Sequence, residues 1–200
     1  MITNKGELFA ALTRYLKRPD LVDLYDNWLD FASTRIDTEC RLSQQEYRST
    51  AVANSQFLPL PIDYLEMRNI QINSYPLEYQ TPAQLDCLRL RNLTGKTRYY
   101  TVMNGQVELL TTPADDSTAE IEIFYYAKQP VLVSDTDTNA ILVSFPNLYL
   151  YACMLEAMPF IEHEKGQQTW GSMFQQTVKT LNDAAERGRF SGAPLKLRAL

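Results

Sequence analysis

The feature that most constrains the fold is a nearly charge-free run late in the chain, NLYLYACMLEAMPFIEHE at residues 147–164. Its only charged residue before the terminal Glu-His-Glu is Glu156, and Pro159 interrupts it near the end. This run has three possible interpretations: a membrane anchor, a pocket around a lone carboxylate, or a core helix. The run is shorter than the roughly 20 apolar residues of a spanning helix. We therefore expect a helix that must be covered on all sides, by its own domain and by a neighbouring subunit.

Length, charge and cysteine usage exclude several classes of protein. A chain of 200 residues can form one good-sized core, or one domain with a sizeable insertion. A net charge of −5 argues against a broad phosphate-binding face. The N-terminus lacks the apolar stretch of a signal peptide. The three cysteines, Cys40, Cys87 and Cys153, are far apart, which predicts free thiols rather than a disulfide framework or a zinc site.

The hydrophobic periodicity changes twice along the chain and predicts an α+β fold. Residues 1–44 and 140–190 have helical patterns, and we expect them to form one helical bundle from the two ends of the chain. Residues 45–130 consist mostly of short strand patterns and form a β-rich insertion. Residues 191–200 form an extended C-terminal tail.

The N-terminal zone contains two predicted helices separated by Lys-Arg-Pro-Asp. Asn4 and Glu7 have the spacing of a capping box before the first helix. The second helix is amphipathic, with an apolar side made of Leu21, Leu24, Tyr25, Trp28, Phe31 and Ala32. Four aspartates cluster on its other side, Asp23, Asp26, Asp30 and Asp37. A solvated face is the favoured interpretation of these carboxylates, because calcium sites generally use loop geometry.

The middle zone contains two candidate hairpins and one capped helix. Asn54-Ser55 lies between two strand patterns, and Asn104-Gly105 is the strongest short hairpin signal available. Residues 119–127 alternate isoleucine with glutamate and then become aromatic, which predicts a strand. Thr81-Pro82-Ala83-Gln84 has the pattern of a capping box with proline at the first helical position.

Two candidate ligand sites are weak. Thr94-Gly95-Lys96-Thr97 resembles the end of a phosphate-binding loop, but Leu90 occupies the position of the required first glycine, and a strand pattern follows. A turn is the better interpretation. His163 is the only histidine and has no G-x-S-x-G elbow or second metal ligand, so we expect a surface residue. The sequence predicts no catalytic, metal or cofactor site.

Glu156 is the one carboxylate within the apolar run. Buried in an apolar helix, it could have a raised pKa and act as the general acid of a cell-wall-degrading hydrolase, together with a second carboxylate from the aspartates of the second helix. The alternative is an ion pair with an arginine or a contact between subunits, which is the commoner role of a buried carboxylate.

The charge of the C-terminal end differs from the rest of the chain. After Glu186 it carries four basic residues and no acidic one, and leucines alternate with the last two basic residues. Such a tail could bind nucleic acid, but it is short and lacks aromatic residues for stacking. We favour docking of the tail as an extended strand on another protein.

Several segments together resemble the head-to-tail adaptor (connector) proteins of tailed bacteriophages, over roughly residues 3–198. The most specific are residues 58–61 with 64–66, and residues 146–151 leading into 155–157. The likeness lies in the order of these segments over nearly the whole chain, and none of them is a catalytic motif. It rests on the order of a helix, RPDL and a long amphipathic helix, then FLPLPIDYLEMRNI, PLEYQTPAQLD, RYYTVMNGQVELLTTP, IEIFYYAKQPVLVSDTDTN and FPNLYLYACMLEAMPF.

The resemblance implies a structural role in the neck of a virion. Such adaptors form a ring, usually of twelve copies, that docks under the portal protein, extends the DNA channel and provides the platform for the tail or nozzle protein. DNA passes through without specific binding, and assembly takes place in the host cytoplasm, with no membrane involved. The helical part packs between neighbours and against the portal, and the β-rich part faces the tail.

Two sets of residues receive roles from this resemblance. In related adaptors the C-terminal segment reaches onto the portal, which here corresponds to Pro194, Leu195, Lys196, Leu197, Arg198, Ala199 and Leu200. The residues expected to pack between subunits are Tyr149, Tyr151, Leu155, Glu156, Phe160 and Trp170. The abundance of tyrosine and phenylalanine suits such interfaces, where amphipathic rings are favoured.

Overall fold

The fold is mixed α+β with helices towards both ends of the chain, as the sequence predicts. The structure is a computed structural model that describes residues 1–91, 98–112 and 119–190. The chain divides into two compact units: a helical unit, Met1–Gln45 with Gln129–Leu200, and a β unit, Glu46–Lys128. The elements in chain order are α1 Lys5–Leu16, a 3-10 helix Pro19–Leu24, α2 Tyr25–Glu39, a 3-10 helix Ser43–Gln45, β1 Glu46–Val52, β2 Phe57–Pro59, β3 Tyr64–Ile72, β4 Tyr75–Pro76, β5 Glu78–Tyr79, α3 Pro82–Leu90, β6 Tyr99–Met103, β7 Gln106–Leu109, β8 Glu120–Ala127, α4 Ala140–Ser144, α5 Pro146–Phe160 and α6 Glu164–Phe190.

Helix α1 begins with a cap that only half matches the predicted capping box. The Asn4 side chain accepts a hydrogen bond from the Glu7 N–H at 2.8 Å, as expected. The Glu7 carboxylate accepts from the Thr3 N–H instead of from the cap residue. The first two N–H groups of the helix donate to the carbonyl oxygens of Asp137 and Asp135. The loop that follows the β unit therefore satisfies the N-terminus of α1.

The second predicted helix begins later than its pattern suggests. Lys17 ends α1 in a left-handed conformation with φ 54°, and Pro19–Leu24 is a 3-10 helix. Leu21 and Leu24 of this 3-10 helix pack on the core. Because a 3-10 helix has about three residues per turn, however, α2 starts at a different angle than in one continuous α-helix. Phe31, predicted on that apolar side, is 59% exposed, so its assignment to the core is wrong. The buried residues of α2 are Tyr25, Trp28, Leu29, Ala32 and Ile36.

Helix α5 is the apolar run, and it is covered by the other helices of its unit. It begins with Pro146 at its first position and ends at Phe160, one residue after Pro159. It contacts α1, α2, α4 and α6, and side chains from both ends of the chain share one core with it. Its buried residues are Leu148, Tyr149, Leu150, Ala152, Cys153, Met154, Ala157 and Met158. The predicted helix is confirmed, and its own unit buries these eight side chains. Cover of its exposed positions by a neighbouring subunit stays a prediction.

The β unit contains two four-stranded sheets that share one core. Their strand orders are β1-β8-β3-β4 and β2-β7-β6-β5. The predicted strand at residues 119–127 is β8, and it pairs antiparallel with both β1 and β3. The predicted hairpin at Asn104-Gly105 is also confirmed, since β6 pairs antiparallel with β7. Both turn residues have positive φ, 52° and 70°, as a tight hairpin turn requires.

The predicted hairpin at Asn54-Ser55 is wrong. Strand β1 pairs with β8 over seven residues, and the Ala53 N–H extends that pairing to the carbonyl of Ala119. Strand β2 pairs with β7 in the other sheet. Strand β8 offers β1 seven paired residues, whereas β2 contains only three. The chain therefore crosses between sheets at Asn54-Ser55.

Helix α3 has the predicted cap. The Thr81 hydroxyl accepts from the Gln84 N–H, and the Gln84 side chain accepts from the Thr81 N–H, with Pro82 at the first helical position. Arg89, in the last turn, forms an ion pair with Glu108 of β7, whose carboxylate is largely buried. This ion pair holds α3 against the β6–β7 hairpin, whereas the cap satisfies the N-terminus of the helix.

Candidate functional site

Glu156 forms an ion pair with an arginine, as the structural interpretation of this residue predicts. Its Oε1 lies 2.6 Å from Nη2 and 2.7 Å from Nε of Arg35 on α2. The two side chains are 18% and 36% exposed. Arg35 Nη1 also lies 3.6 Å from Oε1 of Glu39. The neighbour of Glu156 on α2 is thus a guanidinium and not one of the aspartates that the hydrolase hypothesis requires.

Tyr149 lies within the core of the helical unit. It is 1% exposed, and its hydroxyl accepts a hydrogen bond of 2.8 Å from Nδ2 of Asn139. Burial raises the pKa of Tyr149 to about 12, against the opposing effect of the Asn139 hydrogen bond. Asn139 also caps α4, because its Oδ1 accepts from the Leu142 N–H. The phenol therefore links α5 to the start of α4.

The other aromatic residues predicted to pack between subunits belong to two groups of contacting rings. Trp170 of α6 contacts Tyr15 of α1 edge-on and also Tyr151 of α5, each with ring centroids 5.8 Å apart. Phe160, at the end of α5, is 58% exposed and contacts Trp28 of α2.

Leu155 is partly buried and packs on the helical core. Tyr151, Glu156 and Trp170 are also partly buried, so they and Leu155 keep some exposed surface. A role between subunits stays a prediction for the whole set.

His163 lies at the exposed turn between α5 and α6, as expected for a surface residue. Its Nδ1 accepts a hydrogen bond of 2.8 Å from the Gly166 N–H and so caps the start of α6. A Cβ on Gly166 would lie 2.5 Å from both His163 Nδ1 and Met158 Sδ, which explains the glycine. An open cavity of about 600 Å³ lies at this turn, with Glu162 and Glu164 in its wall. Across the described ranges, no cluster of His, Cys, Asp and Glu could hold a metal ion.

The cysteines are free thiols in two different environments. Cys40 and Cys153 are buried, and Cys87 is exposed on α3. Burial raises the pKa of Cys40 to about 12 and also raises the pKa of the Cys153 thiol. Since the thiolate is the reactive form, the two buried cysteines are inert and Cys87 is the accessible one.

The burial of the charged residue Lys5 was not predicted from the sequence. Lys5 in the first turn of α1 is only 5% exposed, although its pattern is that of a surface residue. Its Nζ donates to the Val133 carbonyl at 2.6 Å and forms an ion pair of 2.6 Å with Asp26. Asp23 and Asp30 on the same acidic side of α2 are exposed, as predicted. Both partners of Lys5 are distant in sequence, so no local pattern marks the contact.

Two predicted segments lie outside the described residues: Thr94-Gly95-Lys96-Thr97, and the tail residues from Pro194 to Leu200. Among the helices that the structure describes, none is long and apolar enough to cross a bilayer.

A comparison with protein families gives a match over most of the chain. The model of the SU10 adaptor protein family matches residues 3–198, nearly the whole chain and both of its units. A comparison with curated proteins found no match.

Proposed function

The chain belongs to the SU10 adaptor protein family, and from this premise we propose that it forms a ring under the portal protein of a tailed-bacteriophage virion. The ring extends the DNA channel and provides the platform on which the tail or nozzle protein assembles. The observation that carries this proposal is the extent of the family match, residues 3–198, because the match covers both units of the chain and not one shared module.

The charge of the chain supports a role as a conduit. DNA that passes through a channel must not be held there, and basic surfaces bind its phosphates regardless of sequence. The chain has a net charge of −5. We therefore propose that DNA passes without specific binding. The protein then belongs to the neck of the virion, after assembly in the host cytoplasm.

We propose that different segments of the chain bind different partners. Residues 1–44 and 140–190 form a helical bundle, the adaptor core, which packs between neighbouring copies and against the portal. The β-rich residues 45–130 face the tail. The tail residues 191–200 extend from the core, and within them Pro194–Leu200 bind the portal as an extended segment. Its alternating leucines and basic side chains suit pairing of the backbone with pockets for every second side chain.

We propose a purely structural role for the residues of α5 and its neighbours. Tyr151, Leu155, Phe160 and Trp170 contribute surface to the contact between copies, and Tyr149 fixes α5 from within the core. The contacts of Glu156 with Arg35 support a role in holding α2 against α5. Neither a catalytic step nor a cofactor is part of this function.

Deletion of Pro194–Leu200 tests the portal contact. We expect the shortened chain to lose association with the assembled cognate portal in co-sedimentation, since the deletion removes the docking segment. Tryptophan fluorescence should stay unchanged, because the deletion leaves every helix around Trp28 and Trp170 in place.

A matched control keeps the length of the tail and changes only its charge, through Lys196→Glu with Arg198→Glu. This variant should bind the portal more weakly at low salt, and added salt should no longer weaken its binding, because salt then screens a repulsion instead of an attraction. If the deletion variant is folded and binds the portal as well as the full chain does, the proposed role of the tail is wrong.

A further inference from the structure

The helical unit carries an exposed aromatic surface between α2 and α5. Phe31 and Phe160 are both more than half exposed. Each lies one helical turn from a member of the Arg35–Glu156 ion pair, since Phe31 precedes Arg35 by four residues and Phe160 follows Glu156 by four. We call these four residues the phenylalanine face. Phenylalanine and arginine are both enriched in protein interfaces relative to the rest of the surface.

A second exposed aromatic surface lies where α1, α5 and α6 meet. Tyr15 is 57% exposed and contacts Trp170 edge-on, and Trp170 contacts Tyr151. We call Tyr15, Tyr151 and Trp170 the tyrosine face. Tyrosine and tryptophan are enriched at protein interfaces, because they offer a large apolar area together with a polar group.

The two faces lie on opposite sides of α5. Tyr151 and Phe160 are nine positions apart in that helix, which at about 100° per residue places them about 180° apart. Glu156 lies on the same side as Phe160, because four positions bring the helix nearly back to the same direction. A copy can therefore bind one neighbour through the phenylalanine face and a second neighbour through the tyrosine face.

The exposed charges nearest in sequence to the exposed rings of the two faces are opposite in sign. Arg14, one residue before Tyr15, and Lys17, two residues after it, are exposed at the end of α1. Asp30 is exposed next to Phe31, and Asp23 is exposed at the start of the same segment. Across the described ranges neither aspartate has an ion-pair partner within its own chain.

We propose that the phenylalanine face of one copy binds the tyrosine face of the next copy, so that the ring is built from one repeated head-to-tail contact. This inference rests on the proposed function, which supplies the ring. The charges and the opposite placement of the two faces are the reasons for pairing one face with the other. A symmetric contact of the tyrosine face with itself would bring Arg14 and Lys17 of two copies together, and like charges oppose association. A head-to-tail contact instead joins opposite charges, and it closes a ring when its rotation closes.

Charge reversal on each face separately tests this contact. Arg14→Glu with Lys17→Glu leaves both faces of a copy acidic, and Asp23→Lys with Asp30→Lys leaves both faces basic. We expect each variant alone to assemble at least about tenfold more weakly than the unaltered chain, with and without assembled portal, because like charges then meet at every contact. Native mass spectrometry measures the assembly, and tryptophan fluorescence confirms that the variants are folded.

Mixing the two variants distinguishes this contact from any other. In a mixture each acidic copy can bind basic copies on both sides, so assembly should return with the two variants in equal numbers. The control is Lys179→Glu, an exposed residue of α6 nine positions after Trp170 and so on the other side of that helix. It should assemble like the unaltered chain.

The outcomes separate the contact from the proposed function. If both variants assemble normally on the portal, or the folded variants fail even when mixed, the inferred contact is wrong while the adaptor function stands. If mixing restores self-assembly but no form of the chain binds the portal, the contact is right and the proposed function is wrong. If the unaltered chain never associates with itself, with or without portal, the contact is wrong.

Discussion

Removal of the charge on Glu156 should destabilise the helical unit, because this carboxylate joins α5 to α2 through Arg35. Glu156→Gln keeps the shape of the side chain and replaces the ion pair at 2.6 and 2.7 Å with a neutral contact. Hydrogen bonds to charged groups contribute about 1.5–3 kcal/mol. The exposed part of the Arg35 side chain reduces this towards the roughly 0–1 kcal/mol of surface pairs. We expect a loss of about 1–2 kcal/mol in the free energy of unfolding.

Urea denaturation followed by tryptophan fluorescence measures this loss in the relevant unit, because Trp28 and Trp170 are the two tryptophans and both lie in it. A double-mutant cycle with Arg35→Met isolates the pairwise interaction, which should be about 1 kcal/mol. The matched control is Asp20→Asn, since the Arg18–Asp20 pair has a similar distance of 2.7 Å but both side chains are more than half exposed. The midpoint of that control should not change.

Two results would refute this account of Glu156. One is a destabilisation by Glu156→Gln no larger than that of the exposed control. The other is a coupling energy near zero between Glu156 and Arg35, which would mean that the two residues act independently. Either result would return Glu156 to the status of an unexplained carboxylate within an apolar helix.

Three further predictions concern other parts of the chain. Gly166→Ala should destabilise the helical unit by about 1–2 kcal/mol, because the new methyl group must displace the buried Met158 side chain. Gly188→Ala in the same helix meets no atom within 4 Å and should stabilise the unit by up to about 1 kcal/mol in the same urea assay. A maleimide should modify Cys87 alone in the native chain and all three cysteines in urea, as counted by mass spectrometry, and rapid native labelling of a second cysteine would contradict the burial of the others. Hydrogen bonds from the Ser134 and Val133 N–H groups lower the pKa of Asp137, so its contribution to stability is present above the unfolded pKa of about 4. Asp137→Asn should therefore destabilise the chain at neutral pH, with a difference that shrinks as the pH falls through the lowered pKa, and a pH-independent difference would be the contrary result.

Local signals in the sequence predicted the elements that depend on local chemistry. Asn104-Gly105 specified its hairpin because both residues tolerate positive φ. Thr81 and Gln84 specified the start of α3 through their reciprocal hydrogen bonds. The apolar run predicted α5, which begins with Pro146 at its first position.

Pairings between distant segments could not be predicted from periodicity. Strand β1 pairs with β8, more than 60 residues away, and nothing in the sequence of β1 distinguishes β8 from the nearer β2. Phe31 was predicted on the apolar side because the pattern was read as one continuous α-helix from Leu21. The 3-10 helix at Pro19–Leu24 has fewer residues per turn, so Phe31 points in a different direction from the one predicted. Both errors arise where tertiary contacts or a local change of helix type override a regular pattern.

The partners of two charged residues, Glu156 and Lys5, also lie far away in sequence and could not be predicted. The ion pair of Glu156 was predictable in kind, because a carboxylate within an apolar helix requires a partner. The identity of that partner, Arg35, was not, since it lies 121 residues away in sequence. The burial of Lys5 was missed for the same reason, because its contact with Val133 is made across 128 residues.

Native mass spectrometry of the purified chain mixed with its assembled cognate portal tests the central claim most directly. The adaptor function predicts that the chain leaves the monomer pool and appears on the portal as a ring with one fixed number of copies. A chain that remains monomeric in the presence of assembled portal would contradict it.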